Sequence, residues 1–553
     1  MSENQTPELT PKYYRDNFNY LLDFVVDKYK EILQENEWRF LRKYNALNED
    51  AQCLFIRFAN RKGLFFKTAK LSYAEIENID EQLQILIEKG FIEPLTRLHT
   101  AYFQDICKLA TKTELLKITQ TPGIKSASKE KVIEHIASEL KAEEFIEKYS
   151  LTTEAIKVNF EYEVTFLKFL FFGNRYMDMS EFVVRDLGLI QYYQHDDDKL
   201  VARFETRKDA EEKWMISDQS EIFEQLKKEA SGAEIYNWFL TLNDAIKDLS
   251  EVAKPSLERL KLKTARHLER LNLLEEAITI YALCNIPQAN ERRIRCLFKL
   301  GQKEETLALC DHLIEHSTNE EERLFAKDFS DRVRSKNTRE KKLTTKKLHE
   351  AERITIPAMY RGQVELGTIA HYINEGKYAI FAENHLWRGI FGLTFWDIIF
   401  DPSLVSFHHP FQRRPSDLHL PDFYEKRKEQ IHELLESFTS TEELTYFMGN
   451  NYIKHLNLAN PFVIWVEGMW ESIKIATQFI PLSTLKEILL HISKDITENS
   501  RGFPDLFVWD EQDYEFIEVK SPTDSLSNRQ LYWLGYFEEK GVNARVLRVY
   551  FDD

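Results

Sequence analysis

Cysteine, glycine and proline are all scarce in this 553-residue chain, and each scarcity removes a class of protein. The five cysteines (Cys53, Cys107, Cys284, Cys296, Cys310) are odd in number and scattered, with no Cys-x-x-Cys pair. That excludes a disulfide framework and a cysteine-built zinc site, and it suits a reducing cytosol. With only 17 Gly and 15 Pro, long helices are expected in place of many short strands. No stretch approaches the roughly 18 uninterrupted apolar residues of a membrane span. The start, MSENQTPELTPKYYRD, lacks the basic-then-apolar order of a secretion signal. A cytoplasmic protein is expected, too long for one core and so of three to five domains or subdomains.

Positive charge is in deficit as well. A net charge of -17 counts against nucleic acid when taken alone, but phosphate neutralisation depends on local patches. Three such patches are present. AQCLFIRFANRKGLFFKTAKL (Ala51 to Leu71) sets Arg57, Arg61, Lys62, Lys67 and Lys70 among aromatic and apolar residues, reading either as a surface that grips a phosphate backbone or as an amphipathic helix with a solvated basic face. ERRIRC places Arg292, Arg293 and Arg295 in one turn, tolerable on a wet surface or around an anion such as a terminal phosphate. Arg332 to Lys347 holds eight basic residues and one acid, a DNA-tracking helix or a solvated linker. The acidic cluster His195 to Asp198, between strand-like YY and LVARF segments, lacks the glycine and distal glutamate of a calcium loop and reads as a solvated turn.

Two organisational signals follow. TELLKITQTPGIKSASKEKVIEHIAS (113 to 138) shows two short helical patterns around Pro122-Gly123, with Lys125 near the second, and resembles the small DNA-binding module called SAP. Ala265 to Tyr281 aligns with Ile294 to Cys310, pairing Leu268 with Leu297, Leu271 with Leu300 and Glu275-Glu276 with Glu304-Glu305. Each unit reads as helix, tight turn, helix, so a divergent stack resembling tetratricopeptide repeats is expected.

The chemistry concentrates near the C-terminus, in RGFPDLFVWDEQDYEFIEVKSPTDSLSNRQ. Leu506 to Trp509 is an apolar strand, Asp510 to Asp513 is turn chemistry and Tyr514 to Lys520 is the return strand. Alternation points Glu518 and Lys520 the same way, and pairing brings Asp505 beside Glu518. Two carboxylates so placed repel unless a cation lies between them. All-oxygen ligation suits Mg²⁺ or Mn²⁺, with the Val519 carbonyl as a further ligand. Lys520, its pKa depressed by the metal, is placed to orient or deprotonate an attacking water, which is the apparatus of phosphodiester hydrolysis. Ser527 and Gln530 form a capping box for a helix from Asn528 to Lys540, Gly541 ends it, and Ala544 to Tyr550 is a further strand. Upstream, Ala379 to Phe400 reads as one strongly apolar helix with Glu383 near its start.

Pro504-Asp505 followed by Glu518-Val519-Lys520 resembles the PD-(D/E)xK nuclease signature, and RGFPDLFVW, EVKSPTDSLSNRQ and QLYWLGYFEEKG together resemble its VRR-NUC branch. AENHLWRGIFGLTFWDIIF, FLFFGNRYMDMSEFVVRDLGL and the Ala51 to Leu71 segment extend the similarity to the Fanconi-anaemia-associated nuclease family over most of the chain. The resemblance implies a multidomain, mainly α protein with a C-terminal α/β nuclease core, a mixed sheet flanked by helices. Its implied order is an N-terminal helical DNA-binding region (1–105), a SAP-like module (106–150), a connecting helical or winged region (151–235), tetratricopeptide-like repeats (236–345) and a VRR-NUC nuclease domain (346–553). It implies a structure-selective enzyme that cuts near 5′ flaps and 5′ ends with Mg²⁺ or Mn²⁺ in DNA repair, interstrand-crosslink repair in particular. Glu383, Asp505 and Glu518 would then bind metal, with the Val519 carbonyl, and Lys520 would be catalytic. Arg529 and Gln530 would face DNA at a helix start, with Arg57, Lys62, Lys125, Arg292, Arg293 and Arg295 as further DNA contacts. No Cys/His arrangement for a ubiquitin-binding zinc finger is present, so the shorter bacterial form, associated with the nucleoid, is the closer resemblance. A Holliday-junction-type resolvase, or an inactive repeat-based DNA-binding scaffold, are the competing readings.

Overall fold

The computed structural model describes residues 9–69, 71–119, 124–246, 248–317, 319–335, 343–383, 385–404, 406–420 and 422–552. They fall into two compact units. The first takes the described residues through Leu189 and Ala202–Trp214; the second takes Ile190–Val201 and everything from Met215 on. Among the described residues no helix is long and apolar enough to cross a membrane.

In the first unit, helices Tyr13–Tyr29, Glu35–Asn45 and Glu49–Ala59 pack around an aromatic core in which the Phe40, Phe55, Phe91 and Phe160 rings meet. The third helix begins because the Asn48 side chain accepts the Ala51 N–H at 2.8 Å. It does not run through the Ala51 to Leu71 segment as a helical reading requires: it stops at Ala59, and Phe65–Lys67 (β1) turns back as a strand. The reason is long-range, because β1 and Ile92–Pro94 (β2) each pair antiparallel with Ala155–Val158 (β3). Lys70 lies outside the described residues. The SAP-like segment contains helices Lys112–Thr119 and Lys129–Glu139 over a core of Leu115, Val132 and Ile136; its Pro122-Gly123 lies outside the described residues.

The second unit opens with helices and ends in a sheet. Helices Lys254–Arg270, Leu274–Ala282, Pro287–Lys299, Lys303–His316 and Glu320–Arg334 follow one another through short turns. The repeat seen in sequence extends to the backbone: Asn272 (φ 62) and Gly301 (φ 77) occupy the same aligned position and supply the left-handed residue that lets each helix reverse. The strand-like segments around His195 do not form a sheet; Gln191 makes one isolated bridge to Leu458, and Asp197–Lys199 is a 3₁₀ turn.

The sheet has five strands: Glu352–Ile356 (β4), Tyr378–Phe381 (β5), Leu506–Trp509 (β6), Tyr514–Lys520 (β7) and Ala544–Phe551 (β8). Their order is β4-β8-β7-β6-β5, with β4, β8 and β7 parallel and the β7-β6 and β6-β5 pairs antiparallel. β5 corrects the reading of Ala379 to Phe400 as one helix. Its first residues pair with β6, Ala379 opposite Val508, and the helix starts only at Leu386. A four-residue apolar run beside a helix looks helical in sequence; the unpaired edge of β6 makes it a strand. One face of the sheet buries Ile356, Leu506, Val508, Ile517, Val519, Leu547 and Val549. The other meets Trp387, Phe503, Trp533 and Phe537, whose neighbouring rings lie 4.4 to 6.4 Å apart and of which Trp387 and Phe537 contact Phe516 of β7. Glu518 and Lys520 share the Phe516 face by alternation.

Candidate active site

The β6–β7 hairpin brings its ionisable groups together as its alternation requires. Leu506 pairs with Ile517, so Asp505 stands opposite Glu518 one step beyond the β6 start. Asp505 Oδ2 accepts the Val519 N–H at 2.7 Å, and Lys520 Nζ lies 2.6 Å from Glu518 Oε1. All three side chains are nearly enclosed: Asp505 is 8%, Glu518 0% and Lys520 9% exposed. Val519 meets Asp505 through its N–H.

Burial, opposed by the Val519 hydrogen bond and Lys520, pushes the Asp505 carboxyl up to about 6, and the fields of Glu383 and Glu365 add to the rise. Burial and then the Asp505 charge push Glu518 up to about 8. Burial pulls on Lys520 in the opposite sense, but its pairing with Glu518 and the nearby Asp505 hold it above the usual lysine range. The depressed lysine expected from sequence is therefore not a property of the protein alone. Glu518 Oε2 is buried without a hydrogen-bond partner, an oxygen left open in an otherwise enclosed site.

Glu383 is placed differently from the pair. It sits in the turn between β5 and the Leu386–Thr394 helix, exposed, with its N–H and that of Ala382 donating to the Asp505 carbonyl at 3.2 and 2.8 Å. Its backbone is thus pinned to the Asp505 strand and its charge is felt by both acids, but among the described residues no three Asp, Glu, His or Cys side chains are gathered tightly enough to hold an ion. Glu365, in the first turn of the Val364–Asn374 helix, also acts on Asp505 and was passed over in the sequence, where no motif joins it to the hairpin.

The helix that follows the hairpin carries a second function in its cap. Ser527 accepts the Gln530 N–H, and Gln530 Oε1 accepts the Ser527 N–H at 2.9 Å, the capping box expected. The amide nitrogen of Gln530 then donates to Glu518 Oε1. Gln530 is accordingly an internal strut on Glu518, where the sequence suggested a DNA contact. Ser527→Ala is expected to cost about 1 kcal/mol of stability with little change in cleavage, because the Gln530 side chain keeps both its partners. Gln530→Leu should cost a similar amount and, if Glu518 is a metal ligand as the sequence implies, also lower kcat by roughly 10- to 100-fold, the usual toll of removing a group that orients a ligand. Melting curves and rates on both variants separate the two roles.

The other basic residues proposed for DNA are mostly engaged. Arg529 lies over Gly502, where a Cβ would meet its Cγ at 2.6 Å, and pairs with Glu498 and, at 3.0 Å, with Glu321. Arg57 pairs with Glu75 and stacks 4.0 Å from the Tyr14 ring. Arg292 makes a two-pronged contact to Glu269, and Arg295 pairs with Glu291 and stacks on Phe325. Arg293 keeps a buried Nε without a partner. Lys62 and Lys125 are exposed. Of the Arg332 to Lys347 stretch, Arg332 pairs with Asp328 and Arg334 with Asp311, while 336–342 lies outside the described residues.

Residues 12–93 match the family model described as FAN1, HTH domain, and residues 448–551 match the VRR-NUC domain. The chain is 26% identical to the Fanconi-associated nuclease 1 homolog of Pseudomonas aeruginosa, over 98% of this chain and 96% of that protein. It is 26% identical to the Arabidopsis thaliana homolog over 99% of this chain and 68% of that one. Among solved structures, a crystal structure of paFAN1 bound to DNA with a 2-nucleotide 5′ flap and a gap matches with a TM-score of 0.85 at 24% identity, across 99% of this chain and 100% of the other. The fold is shared along the whole length.

Proposed function

We propose that this chain, a DNA nuclease that belongs to the Fanconi-associated nuclease family, cuts phosphodiester bonds near 5′ flaps and 5′ ends at the Asp505–Glu518 pair, with Mg²⁺ or Mn²⁺, in the repair of crosslinked DNA. The family is divalent-metal dependent. The observation that carries the site assignment is the enclosed pair itself: two buried carboxylates with raised pKa values and one oxygen, Glu518 Oε2, without a partner. That donor set is all oxygen and fits a hard divalent cation. Asp505, Glu518 and the Val519 carbonyl would hold it, and Glu383 would approach from the adjoining turn. A cation so held polarises a phosphoryl oxygen and makes a bound water more acidic.

The chain's own groups do the rest. Lys520, locked on Glu518, stands where it can orient the attacking water and offset charge that develops on the phosphoryl group. Gln530 holds the Glu518 side chain before DNA arrives, and the Asp505 carbonyl holds the backbone of the Glu383 turn. Low exposure keeps bulk water from screening these charges.

The pair also makes stability depend on pH and metal. In the unfolded chain both carboxyls ionise near pH 4; in the folded chain they hold their protons up to about 6 and about 8. Folding therefore takes up protons, and in chelator the stability contributed by the site falls as pH rises from about 4 to about 8. A divalent cation removes the repulsion that causes the fall. The melting-temperature gap between Mn²⁺ and chelator is expected to be small at pH 5 and to widen by pH 8, where a hundredfold excess over Kd is equivalent to about 2.7 kcal/mol. A gap that is absent at pH 8 would contradict the assignment.

The functional reading is tested by incubating the protein with 5′-flap, 3′-flap, four-way-junction and linear DNA, with and without Mg²⁺ or Mn²⁺. Metal-dependent cuts near the 5′ flap are expected. Paired symmetrical cuts across the junction would make it a resolvase, and no cleavage of any substrate would leave only DNA binding.

A further inference from the structure

Two exposed imidazoles stand side by side on one helix of the second unit. Within Lys303–His316 the last residues read His312-Leu-Ile-Glu-His316, and residues four apart share a helix face. The two rings stack with centroids 4.6 Å apart and planes 22° from parallel. His316 Nδ1 lies 3.1 Å from the His312 carbonyl oxygen, which can only accept, so in the neutral ring Nδ1 carries the proton and donates it. Nε2 of His316 is then left with its lone pair directed away from the backbone. Other histidines spend their ring nitrogens inside the fold: His408 on the Val201 carbonyl and Ser416, His432 on Tyr424 and His491 on Tyr532.

Two neutral imidazoles one helical turn apart make a chelate for a borderline divalent ion, and a bond from the other ring nitrogen to a backbone carbonyl is a usual way of orienting a ligating histidine. Two nitrogens bound to one tetrahedral ion at about 2.0–2.1 Å lie roughly 3.4 Å apart. Nearly parallel rings at 4.6 Å reach that by tilting toward each other. The place on the helix adds to this. His316 is the last helical residue, where the carbonyl end of the helix favours a positive charge. The acids that open the next helix are committed elsewhere: Glu320 pairs with Arg323, Glu321 with Arg529, and Glu322 bonds to Asn290 and Ser317. The chain therefore offers two imidazoles and leaves the remaining positions of an ion to water, in keeping with the lack of a three-ligand cluster among the described residues.

We propose that His312 and His316 form a second metal site, for a borderline divalent ion of the Zn²⁺ class, at the C-terminal end of the Lys303–His316 helix. Its donors are nitrogen, so it discriminates against the hard Mg²⁺ that suits the all-oxygen Asp505–Glu518 pair. The site is independent of the nuclease reading: it takes no part in phosphodiester chemistry, and either can fail without the other.

The test titrates Zn²⁺ into the full-length protein in saturating Mg²⁺, against a chromophoric chelator, for the parent, His312→Gln, His316→Gln and the double variant Glu315→His/His316→Gln. Both rings are exposed, so all four proteins should melt alike and cleave alike in Mg²⁺ without zinc. The parent should take up one equivalent more than either single variant, in which that site is weakened by roughly 10²-fold or more because chelation makes the second bond intramolecular. The double variant restores a pair three residues apart, still on one face, and should recover most of the affinity. With Cu²⁺ in place of zinc, each single variant should lose one coupled nitrogen from the electron paramagnetic resonance spectrum. Equal zinc uptake by the parent and both single variants would overturn the proposal, and so would a loss confined to one of them. A loss in both that comes with lowered melting and no recovery in the double variant would make the histidines structural, and would overturn it as well.

Discussion

Asp505→Asn is expected to lower cleavage by on the order of a thousandfold while raising the stability of the metal-free protein at pH 8. The two effects have one cause. Asparagine can still accept the Val519 N–H, so the start of β6 keeps its anchor, but the negative charge that repels Glu518 is gone. In chelator at pH 8 the variant is relieved of that repulsion; in Mn²⁺ it loses a ligand, and the stabilisation by metal shrinks. A purely structural Asp505 would show the reverse pattern, with lower stability and no selective loss of rate. Lys520→Ala should also lower kcat, by about 10² to 10³-fold. It leaves Glu518 buried beside Asp505 without its cation, so its stability should fall at pH 8 where that of Asp505→Asn rises. Opposite stability shifts with similar losses of rate identify the charge pattern of the site more sharply than either rate alone.

Asp417→Ala is expected to destabilise the protein by about 3–5 kcal/mol, the usual cost of removing one partner from a buried ion pair. Arg427 is fully buried and Asp417 nearly so. Arg427 Nη1 and Nη2 reach the two Asp417 oxygens at 2.8 and 3.2 Å, with further bonds to Ser406 Oγ and the Phe423 carbonyl and a ring contact to Phe423 at 4.2 Å. The guanidinium left behind would have no counter-charge and little water. Arg427→Met/Asp417→Leu removes both charges and should recover much of the loss, since the pair contributes little beyond mutual neutralisation. Denaturant titration of the three variants gives the coupling energy directly.

Sequence alone went furthest where the determining interactions are short in range. The β6–β7 hairpin, the capped helix at Asn528, the strand at Ala544 and the turn-aligned repeat all follow from alternation, caps and a left-handed residue within a few positions. What escaped it depends on distant partners. β5 is a strand because β6 offers an edge more than a hundred residues away. Basic patches look free in sequence because their counter-charges are remote: Glu269 for Arg292, and Glu321, over two hundred residues from Arg529. For the site, proximity of Asp505, Glu518 and Lys520 was legible; the strut from Gln530 and the separation of Glu383 from the pair were not, because both are matters of rotamer and turn geometry.

Binding of a divalent cation by the Asp505–Glu518 pair is tested most directly by anomalous diffraction from crystals grown with Mn²⁺. A single strong peak is predicted within hard-cation bonding distance, about 2.0–2.6 Å, of carboxylate oxygens of both Asp505 and Glu518, with the Val519 carbonyl and the Glu383 side chain turned toward it, and no peak there in Asp505→Asn. Manganese bound elsewhere, with the pair empty in crystals of protein that cleaves DNA, would contradict it.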